Sequence, residues 1–372
     1  MDANLPGPPL RIVHSEAAVS FGGQERRIYK EMIAMRQRGH ALELICQPDT
    51  PLAAHAAEAG FTVHLMPMAG KIDFLKGIAK VASILRRGRF DVLNTHSRRD
   101  TIMAATAGRL AGTPLIVRTR HLAHRVNSRL AYTWLPHRVT TVSEHVRRYL
   151  IERGVPPSYV QTIYSPVVLP PQVERSTLRE ELGLAADDVV VACVAVMRAL
   201  KGHRTLIDAI EPLMRARSGL HLVIVGSGSP VFEQTRARVA ELGLQDRIHL
   251  LGTRGDVPNV LAGCDLFALA TEQEASGTVY VEAAACGLPV IGTDVGGVAE
   301  MMRPGVSGIL VPPRDPVALR AALQRLIDDP GLRHSMGRAG HAMVHQEGAF
   351  SAERTARLTE QTYRRWLKER QS

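Results

Sequence analysis

Short apolar runs alternate with helix-length amphipathic stretches from one end of the chain to the other, and glycines mark the joins. Leu10 to His14 is such a run. Gly22-Gly23 then opens a stretch with apolar positions at Ile28, Met32 and Met35, which is helical spacing. Gly39 ends that helix, since glycine takes a left-handed cap without strain, and 41–46 is the next strand. The rhythm repeats with helix 53–59 and strand 61–65, helix 73–87 and strand 91–95, then helix 99–111 and strand 115–119. Apolar strands alternating with helices predict a parallel sheet covered by helices on both faces.

Tyr164 to Gln172 holds three prolines in nine residues and reads as a stiff, extended linker. The alternation then resumes, with strands at 189–196, 220–225, 247–251, 265–270 and 289–293 and helices at 203–217, 230–242 and 278–286. Helices 315–329 and 330–345 close this part, and a last amphipathic helix covers 351–370. The 372 residues exceed what one core usually supports. The expected fold is therefore α/β with two doubly wound, Rossmann-like domains, 1–170 and 171–350. The remaining 351–372 is read as a helix crossing back to the first domain. Doubly wound sheets hold ligands outside the carboxyl ends of their strands, so chemistry is expected in the loops there, in a cleft between the domains.

Composition narrows the function. No apolar run approaches the roughly twenty residues of a membrane span, and the N-terminus lacks the basic segment and apolar core of a signal peptide. Cys46, Cys193, Cys264 and Cys286 form no Cys-x-x-Cys pair and suit free, buried thiols. A cytoplasmic protein is expected, with the inner face of the membrane as a place of contact. The net charge of +10 is uneven: residues 1–165 hold 23 Lys and Arg against 12 Asp and Glu, while the rest is nearly balanced. Such a field suits an anionic partner, although clusters such as Arg26-Arg27, Arg86-Arg87 and Arg147-Arg148 also fit solvated helix faces. Aromatics make up 4% and do not interleave with these clusters, which argues against nucleic acid.

The strongest constellation is Glu274 to Glu282, between the run 265–270 and a helix ending near Cys286-Gly287. Ser276, Gly277 and Thr278 would present backbone N–H groups at a helix N-terminus, a natural phosphate site. Glu274 and Glu282 flank it and can accept hydrogen bonds from hydroxyls on either side, or be an ordinary loop and helix-face pair. Arg198 and Lys201, after the run 189–196, offer a fork and a point charge suited to a diphosphate. Gly226-Ser-Gly228 allows close backbone approach, and Arg254 ends another strand where a base could lie.

Together these motifs resemble the retaining glycosyltransferases of family 4, which have the two-domain GT-B architecture. The likeness spans Gly22-Gly23-Gln-Glu25, Asp91 to His96, Thr140 to Ser143, Arg198 with Lys201-Gly202, Val225-Gly226, the Glu274 to Glu282 spacing and Cys286 to Val290. It departs at Tyr164-Ser-Pro-Val-Val168 and Ala275-Ser-Gly277, where the family commonly has Asn-Gly-Val and Gly-Phe-Gly. The resemblance implies that Glu282 binds the donor ribose and Glu274 the donor sugar, while Arg198 and Lys201 neutralise the departing diphosphate. Gly22 and Gly23 would then approach that diphosphate. His96 would face the sugar, and Arg98, Arg99, Arg120 and His121 would lie on the acceptor side. No metal or cofactor is implied. The donor is a nucleotide-diphosphate sugar, a UDP-sugar foremost, and the acceptor an anionic surface glycan or its lipid-linked precursor. A nucleotide-sugar epimerase of the same fold is the alternative.

Overall fold

The structure, a computed structural model, describes residues 7–68, 70–122, 126, 128–168 and 173–371. Residues 1–6, and 169–172 of the stiff segment with the expected boundary at 170, lie outside the described residues. The chain divides into two compact units, Met1–Val168 with Phe350–Ser372, and Leu169–Ala349.

The first unit is a sheet of β1 (Arg11–Glu16), β2 (Ala41–Cys46), β3 (Thr62–Leu65), β4 (Val92–Thr95), β5 (Leu115–Arg120), β6 (Arg138–Thr141) and β7 (Val160–Thr162). All pair in parallel, in the order β3-β2-β1-β4-β5-β6-β7. Successive side chains go to opposite faces and both faces are buried. Ile12, Leu44 and Val92 pack with Ile28, Met32 and Met35 of the helix Gly23–Gln37. Val13, Ile45 and Leu93 pack with Val81 and Leu85 of the helix Lys71–Gly88. This two-sided burial is why the strand centres read as short apolar runs and not as apolar–polar alternation.

Two features depart from the sequence reading. The strands β6 and β7 were not among those expected, because Arg-Val-Thr-Thr and Val-Gln-Thr are short and polar. Their threonines instead form hydroxyl contacts across the sheet, Thr119 to Thr140 at 2.8 Å and Thr141 to Thr162 at 3.3 Å. The expected helix 99–111 is broken into Arg98–Asp100, a wider π turn over Thr101–Ala105, and Thr106–Ala111.

The helix Ala352–Gln371 belongs to this unit. Its Ala356, Tyr363 and Trp366 join the core formed by the helix Gly23–Gln37, Asn94 Nδ2 donates to Tyr363 Oη at 3.0 Å, and Arg38 pairs with Glu360 at 2.7 Å.

The second unit is a parallel sheet of β8 (Val189–Val194), β9 (Leu220–Val225), β10 (Ile248–Gly252), β11 (Leu266–Leu269), β12 (Val290–Thr293) and β13 (Gly308–Val311), in the order β10-β9-β8-β11-β12-β13. The strand β13 lies beyond the last one expected. Val190 to Cys193 and Leu222 to Ile224 are fully buried. Helices Pro316–Asp328 and Pro330–His345 follow the sheet. The four cysteines are free, and no helix among the described residues is long and apolar enough to cross a membrane.

Candidate active site

In the second unit, neighbouring strands β8 and β11 bring two loops together. The chain after β8 makes a tight turn at Ala199–Lys201 and continues through Gly202, whose φ is +66°. A Cβ there would stand 1.9 Å from the Ala270 carbonyl oxygen, so only glycine lets the loop lie against the end of β11. Backbone and hydroxyl donors fix the contact: Glu272 N–H and Thr271 Oγ1 both donate to the Leu200 carbonyl. The result sets Lys201 Nζ 2.5 Å from Glu274 Oε2. Arg198, in the same loop, is exposed and has no ion-pair partner among the described residues.

Glu274 is held from behind. Gly297 N–H donates to its carbonyl at 3.2 Å, and Gly296, at φ +57°, would place a Cβ 1.7 Å from that oxygen. Ser276 is buried, and Gly277, at φ +89°, starts the helix Thr278–Ala285. Buried Tyr280 ties this helix to β11 through its hydroxyl, which donates to the Leu269 carbonyl at 2.8 Å. Half-buried Glu282 lies one turn in.

The remaining residues singled out in this unit have intramolecular roles. At Gly226, a Cβ would meet the Ala195 carbonyl at 1.8 Å, so the close approach that glycine permits is by the chain itself. The Arg254 guanidinium faces two carboxylates, Asp256 at 2.7 Å and Glu181 at 3.0 Å. Sequence reasoning passed over His203, which is buried with both ring nitrogens unpartnered; burial foremost, with Lys201 adding to it, lowers its pKa to about 4.

In the first unit, Gly22 and Gly23 open the first helix, and Glu25 accepts the Gly22 N–H at 2.7 Å. A Cβ on Gly23 would meet nothing within 4 Å. Three buried histidines stand in a row on neighbouring strands, His14 within β1 and His96 and His121 directly after β4 and β5. His14 Nδ1 is 2.9 Å from His96 Nε2, and His96 Nδ1 is 3.0 Å from His121 Nε2. Burial keeps all three neutral: His14 is lowered to about 4, and His96 and His121 fall well below the usual imidazole value. Their ring nitrogens point at one another rather than at a common centre, and among the described residues no His, Cys, Asp or Glu group could hold a metal.

Two buried carboxyls belong to the same strand ends. Asp100 accepts the His96 and Ser97 N–H groups at 2.8 Å each, and burial raises its pKa to about 6. Glu16 accepts Ala17 and Ala18 N–H and pairs with Gln24; burial first, and Asp100 second, push it up to about 8. Neither these carboxyls nor His14 were found by sequence reasoning. The available signal was a polar residue ending each of three neighbouring strands.

His96 and His121 line a cavity of about 210 Å³ together with Arg98, Arg118, Arg120 and Tyr132. Arg99 lines a separate groove with Arg98.

Two parallel-sheet units of this kind, the second with an acidic loop running into a helix, are the architecture of GT-B glycosyltransferases, enzymes that use nucleotide-sugar donors. Residues 21–169 match the sequence model of Glycosyltransferase Family 4 and residues 174–343 that of Glycosyl transferases group 1. The chain belongs to the family 4 type of glycosyltransferase. It is 25% identical over 342 residues to the UDP-Gal:alpha-D-GlcNAc-diphosphoundecaprenol alpha-1,3-galactosyltransferase of Escherichia coli, covering 86% of this chain and 88% of that one. It is 27% identical over 377 residues to the D-inositol 3-phosphate glycosyltransferase of Actinosynnema mirum, with 90% of each chain covered. Among solved structures it is similar to Anabaena HepE in complex with UDP and glucose, with a TM-score of 0.81, 23% identity and coverage of 95% and 99%. These relatives are transferases, which disfavours the epimerase alternative.

Proposed function

We propose that this glycosyltransferase moves a sugar from a UDP-sugar to a surface-glycan or lipid-linked acceptor, with retention of anomeric configuration and without a metal ion. The observation that carries this reading is the Lys201–Glu274 pair, set beside exposed Arg198 and the helix start at Gly277. On donor binding the pair separates: Lys201 and Arg198 turn to the diphosphate, and Glu274 takes the hydroxyls of the transferring sugar. Backbone N–H groups at Ser276, Gly277 and Thr278 add to the field on the diphosphate. Glu282 holds the ribose, Gly226 shapes the loop beside it, and Arg254 lies toward the base. Gly22 and Gly23 approach the diphosphate, and His96 faces the sugar.

The bond from the anomeric carbon to the phosphate oxygen breaks while the acceptor oxygen bonds to the same face, and the acceptor's proton passes to the leaving diphosphate. The E. coli relative is named as an alpha-1,3-transferase using UDP-Gal and a diphosphoundecaprenol-linked sugar. That name supports UDP as the donor nucleotide, an alpha-linked product and a lipid-linked acceptor. Arg98, Arg99, Arg120 and His121 serve the acceptor side, and the basic helix Lys71–Gly88 meets the anionic inner face of the membrane. Metal independence is supported by the lack of any Asp-x-Asp in the sequence.

The two carboxylates test the reading. Glu282→Gln should weaken UDP and UDP-sugar together, by roughly 10- to 150-fold, the value of a charged hydrogen bond. Glu274→Gln should leave UDP affinity nearly unchanged while turnover falls. Calorimetry with UDP and a transfer assay on both variants decide it, and equal loss of UDP affinity would reverse the assignment. An inverted product by proton NMR would remove retention, and activity lost in EDTA and restored by manganese would remove metal independence.

A further inference from the structure

Arg118 and Arg120 sit two apart on β5 and so project from the same face. Both lie over the ring of Tyr132, at 4.0 and 5.8 Å from its centre. Arg118 is buried. One of its terminal nitrogens donates to the Ala131 carbonyl at 3.0 Å, its Nε has no partner, and no carboxylate of the described residues is within ion-pair distance. Asp100 attracts it electrostatically without an ion-pair contact. A buried guanidinium without a carboxylate in direct contact is costly, and an arriving oxyanion reduces that cost. Arg120 and Arg98 add two more guanidinium groups to the same 210 Å³ cavity, and planar forks of this kind suit phosphoryl oxygens.

A second feature adjoins it. Arg98 also lines a groove of about 490 Å³ with Phe74, Leu75 and Ile102, where Leu75 is 70% exposed. A charged pocket and an apolar groove thus meet at one side chain.

We propose that the cavity of Arg118, Arg120 and Arg98 binds a phosphoryl group of the acceptor, and that the adjoining groove of Phe74, Leu75 and Ile102 holds the apolar chain carrying it. The inference rests on the lipid-linked acceptor proposed above and gives that acceptor its anchor: the phosphoryl end sits in the cavity that His96 and His121 also line. Polar sugars without a phosphoryl group would leave Arg118 uncompensated and are selected against.

The test is equilibrium binding to the full-length protein of farnesyl diphosphate, inorganic diphosphate and farnesol, each with saturating UDP present so that the donor's diphosphate site is filled. Farnesyl diphosphate should bind most tightly, inorganic diphosphate more weakly, and farnesol weakest. Arg118→Gln and Arg98→Gln should each weaken farnesyl diphosphate by about tenfold, as expected for a charged hydrogen bond. Leu75→Asp should weaken farnesyl diphosphate and spare inorganic diphosphate. UDP affinity, measured alone, should not change in any variant, which also shows that each has folded. Because Arg98 is exposed, its variant keeps the test open if Arg118→Gln misfolds. Full competition by UDP, farnesol binding as well as its diphosphate, equal affinity for the two diphosphates, or wild-type binding by the arginine variants would each overturn the proposal. Loss of UDP binding by the unaltered protein would instead strike the donor reading and leave this one to be judged by the same probes without UDP.

Discussion

Gly202 lies in the loop after β8 and Gly23 begins the helix after β1, and the structure predicts opposite outcomes for replacing them. At Gly202 an added Cβ would strike the Ala270 carbonyl at 1.9 Å from a left-handed backbone. Gly202→Ala should therefore destabilise the protein by about 1–3 kcal/mol or more, the usual range for overpacking. At Gly23, the first residue of its helix, nothing lies within 4 Å, so alanine fits and should stabilise by about 0.4–1 kcal/mol through the lower entropy of the unfolded chain. Gly23→Ala should raise the melting temperature slightly yet lower turnover, if this residue is glycine so that a diphosphate can come close. A variant both more stable and fully active would remove the reason for that glycine. Glu16 makes a prediction of a different kind. Its carboxyl, raised from the ordinary carboxyl range to about 8, binds a proton more tightly folded than unfolded. The stability this contributes is present at low pH and declines as pH rises toward 8. Glu16→Gln cannot ionise, so relative to wild type it should gain stability by up to about 1.4 kcal/mol per pH unit within this window. Measuring both melting curves from pH 6.5 to 8 keeps clear of Asp100, which is raised only to about 6. A constant difference would mean that Glu16 is already ionised.

Among the elements, the helix Ala352–Gln371 depends most on contacts distant in sequence. Trp366, 2% exposed, fills the core beneath the helix Gly23–Gln37, and Trp→Ala in such a site costs about 3–5 kcal/mol. Trp366→Ala should lower the unfolding transition of the first unit and leave that of the second in place, as calorimetry or hydrogen exchange would show; a uniform fall would mean that the two unfold as one. Sequence periodicity found this helix and most strands, because two-sided burial writes β1, β4, β8 and β9 as apolar runs that polar residues interrupt. It missed β6 and β7, whose stability comes partly from threonine hydroxyls and whose composition therefore looks like a loop. The candidate site was legible where its residues are adjacent in sequence, as in Glu274 to Thr278. It was not legible where chemistry is assembled across strands. His14, His96 and His121 are 82 and 25 residues apart in their two contacts, and only the strand order makes them neighbours. Arg118 read as a strand residue, since nothing local says that its guanidinium would be buried without a directly paired carboxylate.

At the level of the molecule, the surplus of positive charge belongs to residues 1–165, yet the structure divides that surplus into two kinds. Arg27 is buried in an ion pair with Glu31 at 2.8 Å and is no part of any surface, whereas Arg98 and Arg99 stay exposed. The field read from composition is thus concentrated on fewer groups than a count suggests. The chain path has its own consequence. It leaves the first unit at Val168 and re-enters it at Phe350, after the whole second unit. On the ribosome, then, the segment made first cannot be finished first: Ala356, Tyr363 and Trp366, which close its core, are translated only after the later unit has been made. The second unit has all its parts as soon as Ala349 has cleared the exit tunnel, while the older half waits with one flank of its hydrophobic layer open to water. In a growing polypeptide the usual order, N-terminal unit first, is therefore reversed for completion, and that open flank is the surface a nascent-chain chaperone would meet.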